Sequence, residues 1–221
     1  MGIMEIFESI QGEGKYIGVP SIFIRFAGCN LRCPWCDTKY SWKEKGEYTT
    51  TSAIEFIKSK PKFKHIVFTG GEPLLYQYDI LEIIREIMAR DLVITIETNG
   101  TIIPRLDLYG FMKYIGLWSV SPKLFMGADM NYAAIRWFNQ QQGVQWKFVV
   151  DGLLDIDQIL DMKEQAIITP VEHIIVQPNG MVPDYQKACQ NLAEYVIDHG
   201  LTELRVLPQF HKICWSNKRG V

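Results

Sequence analysis

The 221-residue chain carries no excess of charge of either sign: 23 basic and 25 acidic residues leave a net charge of −2. That balance gives no general pull toward polyanions, so a nucleic-acid substrate is not favoured. No apolar run approaches the ~18 residues a transmembrane helix needs, so no membrane is expected. Met1 to Glu5 lacks the basic stretch and apolar segment of a signal peptide, and a cytoplasmic location is the expectation. There is no low-complexity tract and no repeat of fixed sequence. Cysteine is scarce and odd in number, which argues against a disulfide framework. What remains is ordinary: 48% hydrophobic and 22% charged residues, the composition of a globular protein. At roughly 100–200 residues per domain the length suggests one domain over 1–221, with enough core to need no staples.

Three of the five cysteines fall within eight residues, as Cys29-Asn-Leu-Arg-Cys33-Pro-Trp-Cys36. Spacing this tight usually marks a metal site. A closed structural zinc site takes four protein ligands, and so does a conventional iron–sulfur cluster. A fourth would have to come from Cys189, Cys214 or one of His65, His173, His199 and His211, none of which stands at a close second spacing. Three local thiolates without an evident fourth suggest another design, in which one iron of a four-iron cluster keeps an open position for a small molecule. Cys189 has a simpler reading: over 184–199 the apolar positions Tyr185, Ala188, Leu192 and Val196 have helical spacing, and Cys189 falls on that face as a buried core thiol.

Short β-branched or aromatic runs predict strands at Ser21–Ala27, His65–Thr69, Leu92–Thr98, Ile115–Val120, Gln145–Val150, His173–Gln177 and Glu203–Leu207, with an extra strand over 3–8. Helical patterns fall at about 77–90, 129–142, 155–165 and 184–199, with a shorter one after Pro104. Another starts at the capping-box spacing Ser52-Ala-Ile-Glu55. Strands alternating with helices imply an α/β fold with a mostly parallel sheet. A closed eightfold barrel typically needs ~250 residues. The expectation is therefore an incomplete, open (β/α) barrel of about six parallel strands, with a doubly wound sheet as the alternative. Polar or turn-rich clusters, the cysteine loop among them, follow the seven main strands at the edge where α/β proteins bind ligands.

The Cys-x3-Cys-x2-Cys spacing, with aromatic Trp35 before the last cysteine, and Gly70-Gly71-Glu72-Pro73 after the next strand resemble the two signatures of the radical S-adenosylmethionine (SAM) superfamily. A narrower resemblance, from about residue 3 to the C-terminus, is to the 7-carboxy-7-deazaguanine synthases of queuosine and other deazapurine biosynthesis. It rests on Gln11-Gly12-Glu13-Gly14, Arg25, Cys36-Asp37-Thr38, Glu97-Thr98-Asn99-Gly100, Ser121-Pro122-Lys123 and Gln209-Phe210-His211-Lys212.

The resemblance implies that Cys29, Cys33 and Cys36 hold a 4Fe–4S cluster whose open iron is chelated by the methionine end of SAM. One electron then cleaves SAM, and the 5′-deoxyadenosyl radical takes hydrogen from 6-carboxy-5,6,7,8-tetrahydropterin. The ring contracts with loss of ammonia to 7-carboxy-7-deazaguanine, a carbon–nitrogen lyase reaction. It implies SAM contacts at Trp35, Cys36, Asp37, Gly70, Gly71, Glu72, Ser121, Pro122, Lys123, Gln177, Pro178, Asn179 and Gly180. It implies substrate contacts at Ile10, Gln11, Gly12, Glu13, Arg25, Thr69, Glu97, Asn99, His211 and Val221, with Mg²⁺ on Thr38. A flavodoxin- or ferredoxin-like electron donor and a homodimer are further implications. The local chemistry agrees. Glycines at 70 and 71 let backbone approach a ligand closely. Arg25, in an apolar strand, needs an anion, either a substrate carboxylate or a nearby Glu. A lone Thr38 hydroxyl suits Mg²⁺ only if the substrate supplies further oxygens. The rival readings are a radical SAM activase of a partner protein, and a non-catalytic iron–sulfur or zinc module.

Overall fold

The computed structural model describes residues 2–42, 45–105, 110–169, 174–216 and 218–221, with backbone alone at 128 and 129. Its strands are β1 (Ile3–Ile10), β2 (Pro20–Phe26), β3 (His65–Gly70), β4 (Val93–Thr98), β5 (Ile115–Val120), β6 (Val144–Val150), β7 (Ile174–Pro178) and β8 (Leu204–Val206). Its α-helices are α1 (Thr50–Ser59), α2 (Gln77–Ile87), α3 (Tyr132–Asn139), α4 (Leu153–Glu164), α5 (Tyr185–Asp198) and α6 (Phe210–Trp215). The strands lie in sequence order in one sheet, β1 antiparallel to β2 and every later neighbour parallel. Sequential order excludes the doubly wound alternative, whose order reverses at a switch point. Among the described residues no β1–β8 pairing closes the barrel. The parallel strands are the seven main runs of the sequence, the last of them, β8, shortened to three residues.

Period-2 alternation gives the sheet two chemically different faces. Ile22, Ile24 and Phe26 of β2, Ile66 and Phe68 of β3, Ile94 and Ile96 of β4, Trp118 and Val120 of β5, and Trp146 and Phe148 of β6 form one buried cluster with the helices. Full burial of such a side chain is worth roughly 1.5–3 kcal/mol over exposure, so this face fixes the register. The alternate residues turn inward, and many are polar: Arg25, Thr69, Glu97, Ser119, Lys147 and Gln177 all border one interior cavity.

The chain after β1 enters this interior from the end opposite the cysteine loop, since Ile10 pairs with Pro20 at the start of β2. Tyr16 packs on His65 at 4.7 Å. Burial lowers the His65 pKa to about 4, and its ring nitrogens bond Ser21 Oγ at 2.7 Å and Thr95 Oγ1 at 2.8 Å. The open side is bridged by loops: Phe210 N donates to Gly12 O at 2.8 Å.

Some local expectations shift. Thr49, not Ser52, caps α1, its Oγ1 accepting from Ser52 N at 3.1 Å. Cys189 lies on α5 as expected but is only half-buried, whereas Leu192 and Val196 are buried. Cys214 is exposed on α6, a helix the spacing did not announce. The helix expected after Pro104 falls on 106–109, which lie outside the described residues, as does the strand start expected at His173.

Candidate active site

The interior cavity has a volume of about 500 Å³. Cys29, Cys33 and Cys36 line one end of it, on the loop that follows β2. Backbone contacts shape that loop: Gly28 N donates to Ser41 O at 2.7 Å and Cys36 N to Cys33 O at 3.1 Å. Gly70 and Gly71 border the cavity, as expected, and also pack tightly against the chain leaving β2. Gly70, at φ +143°, lies where an added Cβ would stand 2.2 Å from Phe26 O, and one on Gly71 would stand 2.0 Å from Gly28 O. They let β3's exit pack against the base of the cysteine loop, fastened by Gly71 N to Phe26 O at 3.1 Å and Glu72 N to Gly28 O at 3.0 Å.

The thiols suit a cluster. Burial raises the pKa of Cys29, with Glu72, Cys33 and Cys36 adding repulsion, and burial likewise raises Cys33, against the pull of Lys123. Three soft sulfur donors whose anionic forms repel one another are the donor set that polynuclear iron neutralises. Among the described residues no three Cys, His, Asp or Glu side chains gather around a single-ion site. Of the possible fourth ligands, Cys189, Cys214, His65 and His199 do not border the cavity. His211 does, facing Asp37 at 3.9 Å, and His173 lies outside the described residues.

Glu72 does not reach the cavity. Fully buried, it caps the turn that leads into α2, accepting from Leu74 N at 3.0 Å, Thr98 Oγ1 at 2.8 Å and Asn99 N at 2.7 Å. It thereby ties the end of β3 to the end of β4. Burial nonetheless lifts its pKa to about 6. Pro122 and Pro178 also stand off the cavity, whereas Trp35, Asp37, Ser121, Lys123, Gln177, Asn179 and Gly180 line it. Trp35 meets Phe125 edge-on at 5.2 Å. Lys123 Nζ donates to Ser121 Oγ at 2.8 Å. Gln177 is fully buried, and neither end of its amide finds a partner among the described residues.

The remaining wall is a set of polar pairs. Arg25 Nε donates to Glu5 Oε2 at 2.6 Å, and Tyr40 Oη donates to the same oxygen at 3.1 Å. Of the two partners expected for Arg25, the neighbouring Glu is present, and the arginine still borders the cavity. Gln11 Nε2 and Thr69 Oγ1 donate to opposite oxygens of Glu97, at 3.0 and 2.8 Å. Glu13 pairs with Lys147 through one oxygen and accepts from Gln209 Nε2 at 2.6 Å through the other. Burial would raise Glu13, but Lys147, His211 and these hydrogen bonds outweigh it and hold the carboxyl far below its usual range. Thr38 Oγ1 sits 3.6 Å from Cys36 Sγ at the cysteine end. Ile10, Gly12, Asn99 and Val221 also border the cavity.

Comparison with known proteins follows the same lines. A model of the radical SAM superfamily matches residues 23–130. A 7-carboxy-7-deazaguanine synthase from Thermoplasma acidophilum is 32% identical, with 100% of both chains covered. One from Clostridium acetobutylicum is 31% identical over 99% of this chain and 98% of the relative. The chain belongs to the 7-carboxy-7-deazaguanine synthase family of radical SAM proteins. The crystal structure of QueE from Escherichia coli superposes with a TM-score of 0.69 at 27% identity, covering 95% of this chain and 94% of that one. Family membership implies a 4Fe–4S cluster and SAM, and the three thiols facing one cavity fit them.

Several cavity residues of this radical SAM chain were not singled out by its sequence: Tyr40, Ser119, Lys147 and Arg219; Gln209 belonged to the quoted terminal motif but was given no role in the site. For Lys147 the signal was available. It is a charge inside the apolar run Trp146-Lys-Phe148, the same anomaly that singled out Arg25. Gln209, which also bonds Tyr185 Oη through its backbone N at 2.5 Å, carried no such signal, since its meeting with Glu13 depends on how the gap between β1 and β8 is bridged.

Proposed function

We propose that this chain, as one domain over 1–221, is a 7-carboxy-7-deazaguanine synthase that converts 6-carboxy-5,6,7,8-tetrahydropterin to 7-carboxy-7-deazaguanine with loss of ammonia, a carbon–nitrogen lyase. The observation that carries this reading is a single cavity with three thiols at one end and fixed carboxylates and an arginine along its wall. The reduced cluster and SAM supply a hydrogen-abstracting radical. The chain's own residues do the rest. Cys29, Cys33 and Cys36 hold the cluster. Trp35, Asp37, Ser121, Lys123, Gln177, Asn179, Gly180 and the backbone of Gly70–Gly71 hold SAM, and the unpartnered Gln177 amide supports this, because a buried amide needs hydrogen bonds.

Arg25, oriented by Glu5, takes the substrate carboxylate. Glu13 and Glu97 accept from the N–H groups of the pterin, with Gln11, Thr69, Asn99, His211 and Val221 completing the fit around Ile10 and Gly12. Glu72 and the two prolines act from behind the wall. Thr38 offers one oxygen to Mg²⁺, the substrate and water the others. A homodimer served by a flavodoxin- or ferredoxin-like donor in the cytoplasm is the expected setting. Among the described residues no helix is long and apolar enough to cross a membrane.

The test is anaerobic incubation of the reconstituted protein with SAM, a reductant and the tetrahydropterin, following the deazapurine by mass spectrometry together with ammonia. Both should form, faster with Mg²⁺ and without that gain in Thr38→Ala. SAM cleavage that appears only with a partner protein would instead point to an activase.

A further inference from the structure

The middle of β6 holds a cation between two of the largest fully buried side chains, Trp146 and Phe148. Lys147, 6% exposed, turns inward to the cavity and pairs with Glu13. The other oxygen of that carboxylate is held by Gln209, from the far side of the gap between β1 and β8. Glu13 N donates to Gln11 Oε1 at 3.1 Å, which fixes the backbone behind it. Ligand binding therefore meets a carboxylate pinned at both oxygens, by Lys147 and Gln209, on a backbone fixed by Gln11.

A buried ion pair is a poor stabilising device, because desolvation offsets most of the attraction. What the pair supplies is an ionised carboxylate where burial favours the acid. The groups that bear on Glu13 are Lys147 of β6, His211 of α6, Asp37 of the cysteine loop, Tyr185 of α5 and Lys123 after β5. Lys147 in turn faces Glu97 and Asp37. Of these, Lys147 alone is both hydrogen-bonded to Glu13 and a permanent cation at neutral pH.

We infer that Lys147 is a positioning residue: it fixes Glu13 as a pure hydrogen-bond acceptor on the cavity wall and so selects ligands that present N–H donors there. This rests on the reading of the substrate as a tetrahydropterin, whose aminopyrimidinone edge carries such donors. A protonated Glu13 would offer an O–H against those N–H groups, one hydrogen bond would be lost, and two hydrogens would face each other.

The experiment combines kinetics with spectroscopy on the reconstituted protein. In Lys147→Met the KM for 6-carboxytetrahydropterin is expected to rise about ten- to a hundredfold at pH 7, the equivalent of one hydrogen bond to a charged group, with kcat moved far less. That KM falls again as pH rises, because removal of the Glu13 proton restores the acceptor. Lys147→Arg keeps KM near the parent value and independent of pH. Glu13→Gln combined with Lys147→Met loses no more affinity than Lys147→Met and shows no pH dependence. Independently of turnover, infrared difference spectra against Glu13→Gln are expected to show a carboxylate band for Glu13 in the parent and a protonated-carboxyl band in Lys147→Met at pH 7. Should Lys147→Met fail to fold, Lys147→Gln makes the same comparison.

A carboxylate band in the Met or Gln variant, or an equal and pH-independent loss in the Met and Arg variants, overturns the assignment. If the parent leaves the pterin untouched but the infrared bands behave as described, the substrate reading falls and the role of Lys147 toward Glu13 stands.

Discussion

Glu72 lies two residues past the start of a short polar motif, yet it is a fully buried carboxyl whose three hydrogen bonds all come from Leu74, Thr98 and Asn99. Burial raises its pKa from 4.5 to about 6. A carboxyl raised by folding binds its proton more tightly in the native state than in the unfolded chain. Its contribution is therefore fully present below pH 4.5 and is lost as pH rises through about 6. The shift corresponds to about 2 kcal/mol. Glu72→Gln keeps an acceptor but cannot titrate. Urea denaturation of the cluster-free protein should show wild type losing about 2 kcal/mol relative to Glu72→Gln across that window. Parallel stability curves would mean that the carboxyl is solvated rather than buried.

At the scale of elements, the turn from β3 toward α2 decides whether the cysteine loop has its shape. A methyl group on Gly71 would meet Gly28 O at 2.0 Å and Cys29 Cβ at 2.8 Å. Neither atom is the end of a flexible side chain, so the loop itself must move. Gly71→Ala is expected to cost about 2–4 kcal/mol, to lower Tm by roughly 4–16 °C, and to lower bound iron after reconstitution. Gly152→Ala is the control, since nothing lies within 4 Å of its added Cβ and its φ of −165° suits any residue. It should change Tm by less than about 2 °C.

The strands were legible because each parallel strand is a short β-branched run closed by glycine, proline or a polar turn; their order in the sheet was not, and a doubly wound arrangement stayed open until the structure showed sequential neighbours. The two faces of the sheet were also less legible. Alternation alone distinguishes Ile22, Ile24 and Phe26 from Ser21, Phe23 and Arg25, but it does not say which set faces helices and which faces a ligand. That follows only from curvature of the sheet. The same gap explains why Arg25 was singled out while Lys147, Ser119 and Gln145 on β5 and β6 were passed over. The cap of α1 was displaced to Thr49 because Ser52 and Thr49 present similar hydroxyls three residues apart, and packing of Ala53, Ile54 and Ile57 chooses between them. Glu72, named from its motif as a ligand contact, turns away because Leu74, Thr98 and Asn99 offer it three donors that no sequence spacing brings together.

For the molecule as a whole, loops and side chains rather than strand pairing meet across the gap between β1 and β8 among the described residues. Gly12 meets Phe210 and Glu13 meets Gln209 across it, and the last residues continue along the cavity. Arg219 lies over the Tyr40 ring, 3.7 Å from its centroid. Tyr40 Oη donates to Glu5, and Glu5 holds Arg25. The tail is thus coupled through three side chains to the arginine assigned to the substrate carboxylate. An exposed cation–π contact is worth about 0.5–1 kcal/mol, so Arg219→Ala should raise the KM for the pterin by about two- to fivefold and leave Tm nearly unchanged. Tyr40→Phe keeps the ring under Arg219 but frees Glu5 from its hydroxyl, so it tests the second link alone. If the links act in series, Arg219→Ala combined with Tyr40→Phe raises KM by less than the product of the two single effects. Effects that simply multiply would show that the tail and Glu5 reach the ligand by separate routes, and that Arg25 does not feel the closing of the gap.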